Sequence, residues 1–204
     1  MEKEVVKSRN REVTERILLD AVDELIEEKG FENLGVNAVA AKANVSKMLI
    51  YRYFDSLDGL IAAYIKRHDF WINFQWELSE PEQLQELIKE TFKKQICILR
   101  ENYTLRRLYR WELYSTNKVV KDVRDKREAK GMELINEVCR ISGFSQRKVA
   151  SLATLITSSI TYLILLSENC PEFNGIYIQD EEGWKQLEEG IDRIVDNWFN
   201  DKQR

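Results

Sequence analysis

The side chains best suited to chemistry are cations and phenols that fall close together, within residues 47–53. Ammonium, guanidinium and phenolic hydroxyl groups all donate hydrogen bonds, and phosphate oxygens accept them. Apolar side chains at Ile50 and Phe54, four residues apart, predict a helix over 47–54 whose outer face carries the donors. The donors are Lys47, Tyr51, Arg52 and Tyr53. Such a surface is expected to bind nucleic acid.

A second short helix and a tight turn precede this stretch. Valine and alanine side chains share one face over residues 36–42, which predicts a helix. Asn44 tolerates the left-handed backbone of a tight turn, and Ser46 can accept a backbone N–H at the start of the next helix. The pattern predicts a helix-turn-helix unit, whose second helix enters the major groove. The residues expected to contact DNA are Val36, Asn37, Lys42, Ser46, Lys47, Met48, Leu49, Tyr51, Arg52 and Tyr53.

This arrangement resembles the N-terminal domain of the TetR family of bacterial transcriptional regulators. The matching positions span roughly residues 10–65 and occur together at fixed spacings. They are Gly30-Phe31, Val39-Ala40, Ala43, Val45-Ser46, Tyr51, Tyr53-Phe54 and Leu60. The resemblance implies a three-helix DNA-binding head, an all-helical ligand-binding and dimerisation body, and repression that a small molecule relieves.

Several positions depart from the family pattern. Gly35 stands where threonine is usual, a change expected to cost a few tenths of a kcal/mol of helix capping. Asn44 replaces a usual glycine, and Leu57 stands where a phosphate-contacting lysine is common. Met48 and Leu49 replace small or hydroxylated residues, which favours contact with thymine methyl groups over hydrogen bonds to bases. The fold expectation is unchanged, and the operator sequence is left open.

Composition limits both the fold and the electrostatics. The 204 residues include only 2 prolines and 8 glycines and are rich in Leu, Ile, Glu and Lys, which predicts an all-α protein. About nine helices are expected, as a three-helix head in residues 1–54 and a helical-bundle body in residues 55–204. The net charge is −4, and the head holds nine Lys or Arg against ten Asp or Glu. DNA affinity must therefore come from local clusters of positive charge.

Caps and apolar rows predict where the helices begin and end. Residues 1–9 are expected to form a loose polar arm before a first helix over 10–29, which Gly30 ends. Asp55 and Ser56 offer a cap for a fourth helix running to about Leu78. Later helices are expected over residues 79–100, 104–117, 118–141 and 145–167, with a last one after the loop at 170–180.

The body is rich in aromatic side chains, which admit two interpretations. Aromatic residues at helical spacing are typical of a packed core, but ligand pockets have similar linings. The resemblance favours a cavity between the fourth to eighth helices for a small, largely apolar effector. Glu112 is expected to select a cationic ligand there or to form a surface ion pair with Arg107 or Arg110. The candidate ligand-binding residues are His68, Trp71, Phe74, Gln75, Tyr109, Glu112 and Tyr162.

Two segments near the C-terminus predict a homodimer. Four hydroxyl residues recur at helical spacing, giving a stripe of small side chains that permits close helix approach. Five apolar residues then alternate three and four apart, as in a coiled-coil seam. Two such helices from each of two chains would close a four-helix bundle, as the family does. The stripe is Ser151, Thr154, Ser158 and Thr161, and the seam is Trp184, Leu187, Ile191, Ile194 and Trp198.

Other classes of protein are not indicated. His68 is the only histidine, and the sequence has no Gly-rich phosphate loop, nucleophile elbow or CxxC pair, so no enzyme, metal or cofactor is expected. Three widely spaced cysteines and a charged N-terminus without an apolar segment favour a reduced, cytoplasmic location. The uncharged stretch 149–167 approaches the length of a membrane span, but its hydroxyl side chains favour a buried bundle helix and no membrane partner.

The expected function is therefore a ligand-responsive transcriptional regulator, a repressor that binds a palindromic operator in double-stranded DNA as a homodimer. The alternative is a helical protein-interaction module that keeps the fold without sequence-specific DNA binding. The nearly neutral head, Leu57 and the bulky Met48-Leu49 pair favour this alternative.

Overall fold

The computed structural model describes residues 2–75 and 81–200, with no side-chain description for residues 2–10, 32 and 81. The expectation of an all-α protein is confirmed over these residues. The α-helices are α1 Glu2–Lys29, α2 Val36–Lys42, α3 Met48–Phe54, α4 Leu57–His68, α5 Phe70–Asn73, α6 Leu84–Glu101, α7 Tyr103–Tyr114, α8 Lys118–Ser142, α9 Gln146–Ser167 and α10 Glu181–Asn200. Short 3-10 turns occupy Phe31–Asn33 and Pro81–Gln83, and strands β1 Glu172–Phe173 and β2 Ile176–Tyr177 form a hairpin.

The chain forms two compact units. The first combines Met1–Asn73 with Tyr103–Arg127, and the second combines Phe74–Asn102 with Glu128–Arg204. α8 contributes to both, because it continues through residues 127 and 128. The predicted division of the chain after residue 54 stays a prediction.

The first unit is built around α1, against which α2, α3, α4 and α7 pack. Leu18, Val22 and Ile26 are completely buried along its inner face. The two apolar rows expected on this helix are buried from residue 21 onward, whereas their first members, Val13 and Ile17, are exposed. Gly30 ends the helix with φ 78°, and its N–H donates to the carbonyl oxygen of Ile26 at 3.0 Å. Because this backbone conformation strains residues with a Cβ, glycine suits the position.

The start of α1 differs from the expectation. The loose polar arm expected over residues 1–9 is wrong, since the helix already begins at Glu2. The segment from Glu2 to Arg11 contains no glycine or proline and is rich in Glu, Lys and Arg, which have good helix propensity.

The fourth helix also ends earlier than expected. Ser56 caps α4 as predicted, with its hydroxyl oxygen accepting the N–H of Gly59 at 2.9 Å. The helix stops at His68 instead of continuing to Leu78, a residue outside the described part of the chain. Asp69 has an extended backbone (φ −70°, ψ 121°), and its carboxylate accepts the N–H of Ile72 at 2.9 Å. Aspartate competes with the helix backbone in this way, so it separates α4 from α5.

In the second unit, α6 packs against both α9 and α10. Its predicted apolar row is buried at Leu84, Ile88, Phe92, Ile96 and Leu99. Ion pairs also join α6 to α10, with Lys93 Nζ 3.1 Å from a carboxylate oxygen of Asp192. Lys89 pairs with Asp196 and Arg100 with Glu181 between the same two helices.

The segment expected to be a loop before the last helix contains the β-hairpin. Phe173 pairs with Ile176 in antiparallel register across a two-residue turn. Asn174 and Gly175 in that turn both have positive φ, 52° and 80°. An Asn-Gly pair is the sequence signal for such a turn, so the hairpin was predictable.

Candidate functional site

The helix-turn-helix unit has the predicted geometry. Val39 and Ala40 on α2 and Ile50 on α3 are buried, which fixes the two helices against the core of the first unit. Asn44 has φ 51° in the turn, as expected for a left-handed position. The Ser46 hydroxyl oxygen accepts the N–H of Met48 at 3.3 Å, at the start of α3. Local sequence signals therefore suffice to define this unit.

The predicted DNA-contacting residues differ in exposure. Arg52 and Tyr51 are exposed on α3, Lys47 is exposed at its N-cap, and Met48 leaves 65% of its surface to solvent. Asn37, Lys42 and Ser46 are also exposed, whereas Val36, Leu49 and Tyr53 are half-buried. The outer face of α3 therefore presents two cations, a phenol and an apolar side chain together.

Two guanidinium groups lie near the ring of Tyr53. The Cζ atom of Arg52, its neighbour on α3, is 6.0 Å from the ring centroid, and that of Arg11, on α1, is 5.4 Å away. Arg11 also forms a 2.6 Å ion pair with Glu15, which raises its pKa. Arg11 is not among the residues expected from the sequence to contact DNA. Its contact with Tyr53 adds it to the candidate surface.

Lys42 has a different environment from the other cations. Its Nζ lies 2.7 Å from Glu28 and 2.9 Å from Glu24, both on α1. Hydrogen bonds to Glu28, which has the larger effect, and to Glu24 raise the pKa of Lys42 to about 12. Within the described part of the chain, no carboxylate forms an ion pair with Lys47 or Arg52. Lys42 is thus exposed, but its ammonium group is already paired with two carboxylates. It is therefore a less favourable phosphate contact than Lys47 or Arg52.

The first unit also contains a buried ionic cluster at the break between α4 and α5. Arg127, on α8, bonds the carboxylate of Asp69 through Nε (3.0 Å) and Nη2. The same guanidinium donates to both carboxylate oxygens of Glu112, at 2.8 and 3.1 Å. Asp69 is completely buried and Glu112 is 5% exposed. Burial alone would lower the Arg127 pKa, but Tyr109 and the two carboxylates outweigh it and raise the pKa.

This cluster resolves the two interpretations of Glu112. Neither Arg107 nor Arg110 is its partner, because Glu112 points inward and pairs with Arg127. The guanidinium also lies 4.7 Å from the ring centroid of Tyr109, so the protein itself supplies the cation that was expected from a ligand. The Tyr109 hydroxyl is buried and has no hydrogen-bond partner among the described residues. Its pKa is raised chiefly by burial.

The other candidate ligand-binding residues are divided between the two units. In the first unit, His68 is half-buried with its ring 4.6 Å from that of Tyr64, and burial is the main cause of its lowered pKa. Trp71 packs edge-on against Phe70. In the second unit, Phe74 is buried, Gln75 is exposed, and Tyr162 is 56% exposed beside Phe173. Across residues 2–75 and 81–200, no group of three His, Cys, Asp or Glu side chains could hold a metal.

The predicted hydroxyl stripe lies on an open face of α9. Ser151, Thr154 and Ser158 are exposed, and Thr161 is half-buried. The hydroxyls of Ser151, Ser158 and Thr161 donate to carbonyl oxygens of their own helix. Their polar atoms are therefore satisfied locally, which leaves a surface that another helix can approach closely.

The predicted seam on α10 is only partly open. Trp184 is 2% exposed within a single chain, and its Nε1 donates to the carbonyl oxygen of Ile178 at 2.8 Å. Its burial therefore does not require a second copy. Leu187, Ile191 and Trp198 are half-buried, and Ile194 is 48% exposed. The open part of the seam lies in the C-terminal half of the helix.

In the described residues, α9 is the one helix long and apolar enough to cross a membrane. The expectation was a buried bundle helix, but only 22% of its most apolar stretch is buried in a single chain. Leu155 is 65% exposed on the same face as the hydroxyl stripe. Burial of this helix therefore requires something beyond one copy of the chain.

The fold and the site define an all-α protein with an N-terminal helix-turn-helix domain. The family model for bacterial regulatory proteins of the TetR family matches residues 18–64, which include α2 and α3. The match is confined to this N-terminal domain, and it confirms the resemblance to the TetR family seen in the sequence.

Similar proteins fall into two groups. Uncharacterised HTH-type transcriptional regulators from two strains of Mycobacterium tuberculosis are each 34% identical over 62 residues, which cover 30% of this chain and 31% of theirs. The likeness to these relatives is thus confined to less than a third of their length. A TetR transcription regulator from Haloarcula marismortui has a TM-score of 0.62 at 16% identity, covering 91% of this chain and 98% of its own. A TetR family regulator from Marinobacter aquaeolei has a TM-score of 0.60 at 17% identity, covering 92% and 97%. These structures establish a shared fold.

Proposed function

We propose that this protein is a transcriptional regulator that binds double-stranded DNA through α3. The observation that carries the proposal is the outer face of α3, where Lys47, Tyr51 and Arg52 are exposed beside Tyr53. Helix-turn-helix proteins place such a face in the major groove and use flanking donors on phosphates. Acting on the genome, the protein would work in the cytoplasm. Bound there, it would repress transcription.

Substitutions at Lys47 and Lys42 test the proposal, because among the described residues carboxylates hold only the second of these two lysines. Replacing Lys47 by methionine is expected to weaken binding to the promoter DNA of the protein's own gene. It should also reduce the salt dependence by about one phosphate contact per protomer. Replacing Lys42 by methionine should change the salt dependence much less, because Glu24 and Glu28 already hold its ammonium group. Fluorescence anisotropy across a salt series measures both effects.

Equal salt slopes for the two lysine variants would show that Lys42 leaves its carboxylate partners to bind phosphate. An unchanged slope on loss of Lys47 would contradict the placement of α3 against DNA. If the unaltered protein has no salt-dependent affinity for any genomic fragment, the helical interaction module becomes the better interpretation.

The proposed assembly is a homodimer that closes a four-helix bundle from α9 and α10 of two copies. Support comes from the low burial of α9 in one chain and from the exposed Ile194 on α10. Small side chains on α9 permit close packing, and Leu155 and Tyr162 add apolar area on its open face. A twofold dimer also presents two copies of α3, which suits a palindromic operator.

Replacing Ile191 and Ile194 by glutamate in one variant is expected to convert the dimer into monomers. Buried carboxylates without cationic partners strongly disfavour an interface. Sedimentation velocity measures the change, and glutamate at Arg193 and Asn197, exposed neighbours on α10, provides the matched control. A dimer that survives the isoleucine substitutions would place the interface elsewhere, while insertion into lipid vesicles would favour a membrane role for α9.

The proposed signal is a small, largely apolar effector that binds within residues 55–204 and releases the protein from DNA. Aromatic side chains buried in this region, such as Phe74, Tyr109 and Trp111, are typical of ligand-binding surfaces. An effector that binds one conformation more tightly than the other shifts the population between DNA-competent and DNA-incompetent states.

A further inference from the structure

Gln95, on α6, is an anomaly in the core of the second unit. It is 1% exposed, and neither its Oε1 nor its Nε2 has a hydrogen-bond partner in the described part of the chain. Polar groups this deeply buried are nearly always hydrogen-bonded, because an unmade bond forfeits the hydration that the group has in the unfolded chain. The carboxamide therefore destabilises the structure as it stands.

The neighbouring residues offer the carboxamide no structural role. One turn earlier on the same face, the Thr91 hydroxyl donates to the carbonyl oxygen of Leu87 at 2.7 Å. Phe92 and Leu99, three residues before and four residues after Gln95, are apolar and buried. The buried residues of α9, which packs on α6, are Val149, Ile156, Ile160 and Ile164. A methionine or leucine would suit such surroundings better than glutamine.

Two lysines of α6 point toward α10 and not toward Gln95. Lys89 and Lys93 pair with Asp196 and Asp192 of α10. At 100° per residue, the side chain of Gln95 lies roughly 120–160° around the helix from both lysines. These two ammonium groups therefore point away from the carboxamide of Gln95.

We propose that Gln95 is the polar anchor for a neutral effector that carries a hydrogen-bond donor beside an acceptor, as in a carboxamide or lactam. An amide pairs with such a group through two bonds, N–H to C=O in each direction. This inference rests on the proposed effector control and names the chemical class of the effector.

The site is closed in this structure, because both polar atoms of Gln95 lack accessible surface. A ligand can reach them only if α6 separates from a neighbouring element. The two hydrogen bonds gained then offset part of the cost of opening. Binding at Gln95 is therefore coupled to a change of conformation, which is what an effector requires.

The first arm of the test needs no ligand. Replacing Gln95 by methionine, which has similar volume and no hydrogen-bonding need, is expected to raise the midpoint of thermal unfolding by about 3 °C or more. The matched control is Gln85→Met on the same helix. It should lower the midpoint, because Gln85 donates to Asp196 at 2.6 Å. A lower midpoint in the Gln95 variant would overturn the proposal by showing that its carboxamide is satisfied.

The second arm uses three aromatic probes of similar size, namely benzamide, benzoate and acetophenone, with saturation-transfer NMR. Benzamide is expected to bind the unaltered protein about tenfold more tightly than the other two, and Gln95→Met should abolish the preference. Equal binding of the probes, binding of none, or a preference that persists in the variant would overturn the proposal. Neither arm involves DNA, so failure here is distinct from failure of the anisotropy experiment, which tests the proposed function.

Discussion

Replacing Arg127 by methionine is expected to lower the free energy of unfolding by about 3–5 kcal/mol. The substitution leaves Asp69 and Glu112 buried with no cation to balance them, and removal of one member of a buried ion pair has effects of this size. Asp69 is completely buried, and the Glu112 side chain is only 7% exposed. Urea unfolding, followed by circular dichroism, measures the loss.

Two further variants separate the charge from the packing. Arg140→Met removes an arginine whose ion pair with Glu137 is exposed, and it should change stability by less than about 0.5 kcal/mol. Combining Arg127→Met with Asp69→Asn and Glu112→Gln should recover much of the loss, because no unpaired charge remains. The amide oxygen that Asp69→Asn introduces can still accept the N–H of Ile72. A loss below about 1 kcal/mol for Arg127→Met alone would contradict the buried cluster.

The cluster also shows where sequence reasoning stops. Closeness along the chain suggested Arg107 and Arg110 as partners for Glu112, although side chains two or five residues apart do not face each other on a helix. The true partner, Arg127, belongs to the next helix. The second carboxylate that Arg127 binds, that of Asp69, is 58 residues away along the chain. Aspartate favours helix caps, but the apolar spacing continues on both sides of Asp69, so the helix break was not predicted.

Local signals, in contrast, were reliable. The positive φ at Gly30 and Asn44 and the cap at Ser56 follow from the conformational preferences and hydrogen-bonding capacity of single residues. The buried row of α6 follows from its apolar spacing alone. The hairpin at Asn174-Gly175 carried an equally local signal, which the expectation of a loop overlooked.

The candidate DNA surface was predicted in outline but not in its electrostatics. The sequence identifies the cations on α2 and α3, yet it cannot show that α1 supplies two carboxylates to Lys42 and a guanidinium to Tyr53. Both contacts depend on how α1 crosses the helix-turn-helix unit. They shift the expected phosphate contacts from Lys42 toward Lys47 and Arg52, because Arg11, like Lys42, is already paired with a carboxylate.

The central claim is that the outer face of α3 binds DNA, and a combined Tyr51→Ala, Arg52→Ala and Tyr53→Phe variant has the largest expected effect on binding. It removes two phenolic donors and one cation from each protomer while keeping the ring that Arg11 contacts. Affinity for promoter DNA should fall at least about 100-fold, since each lost contact contributes roughly 1 kcal/mol and the dimer doubles the number. The three side chains are exposed or half-buried, so circular dichroism and sedimentation should be unchanged.

The matched control carries Tyr177→Ala and Arg193→Ala, which remove an exposed tyrosine and an exposed arginine of the second unit. The most direct measurement is a mobility-shift titration of both variants with genomic fragments recovered by sequencing of bound DNA. We predict that the control binds these fragments as the unaltered protein does and that the α3 variant does not. Binding of the folded α3 variant with unchanged affinity would contradict the claim.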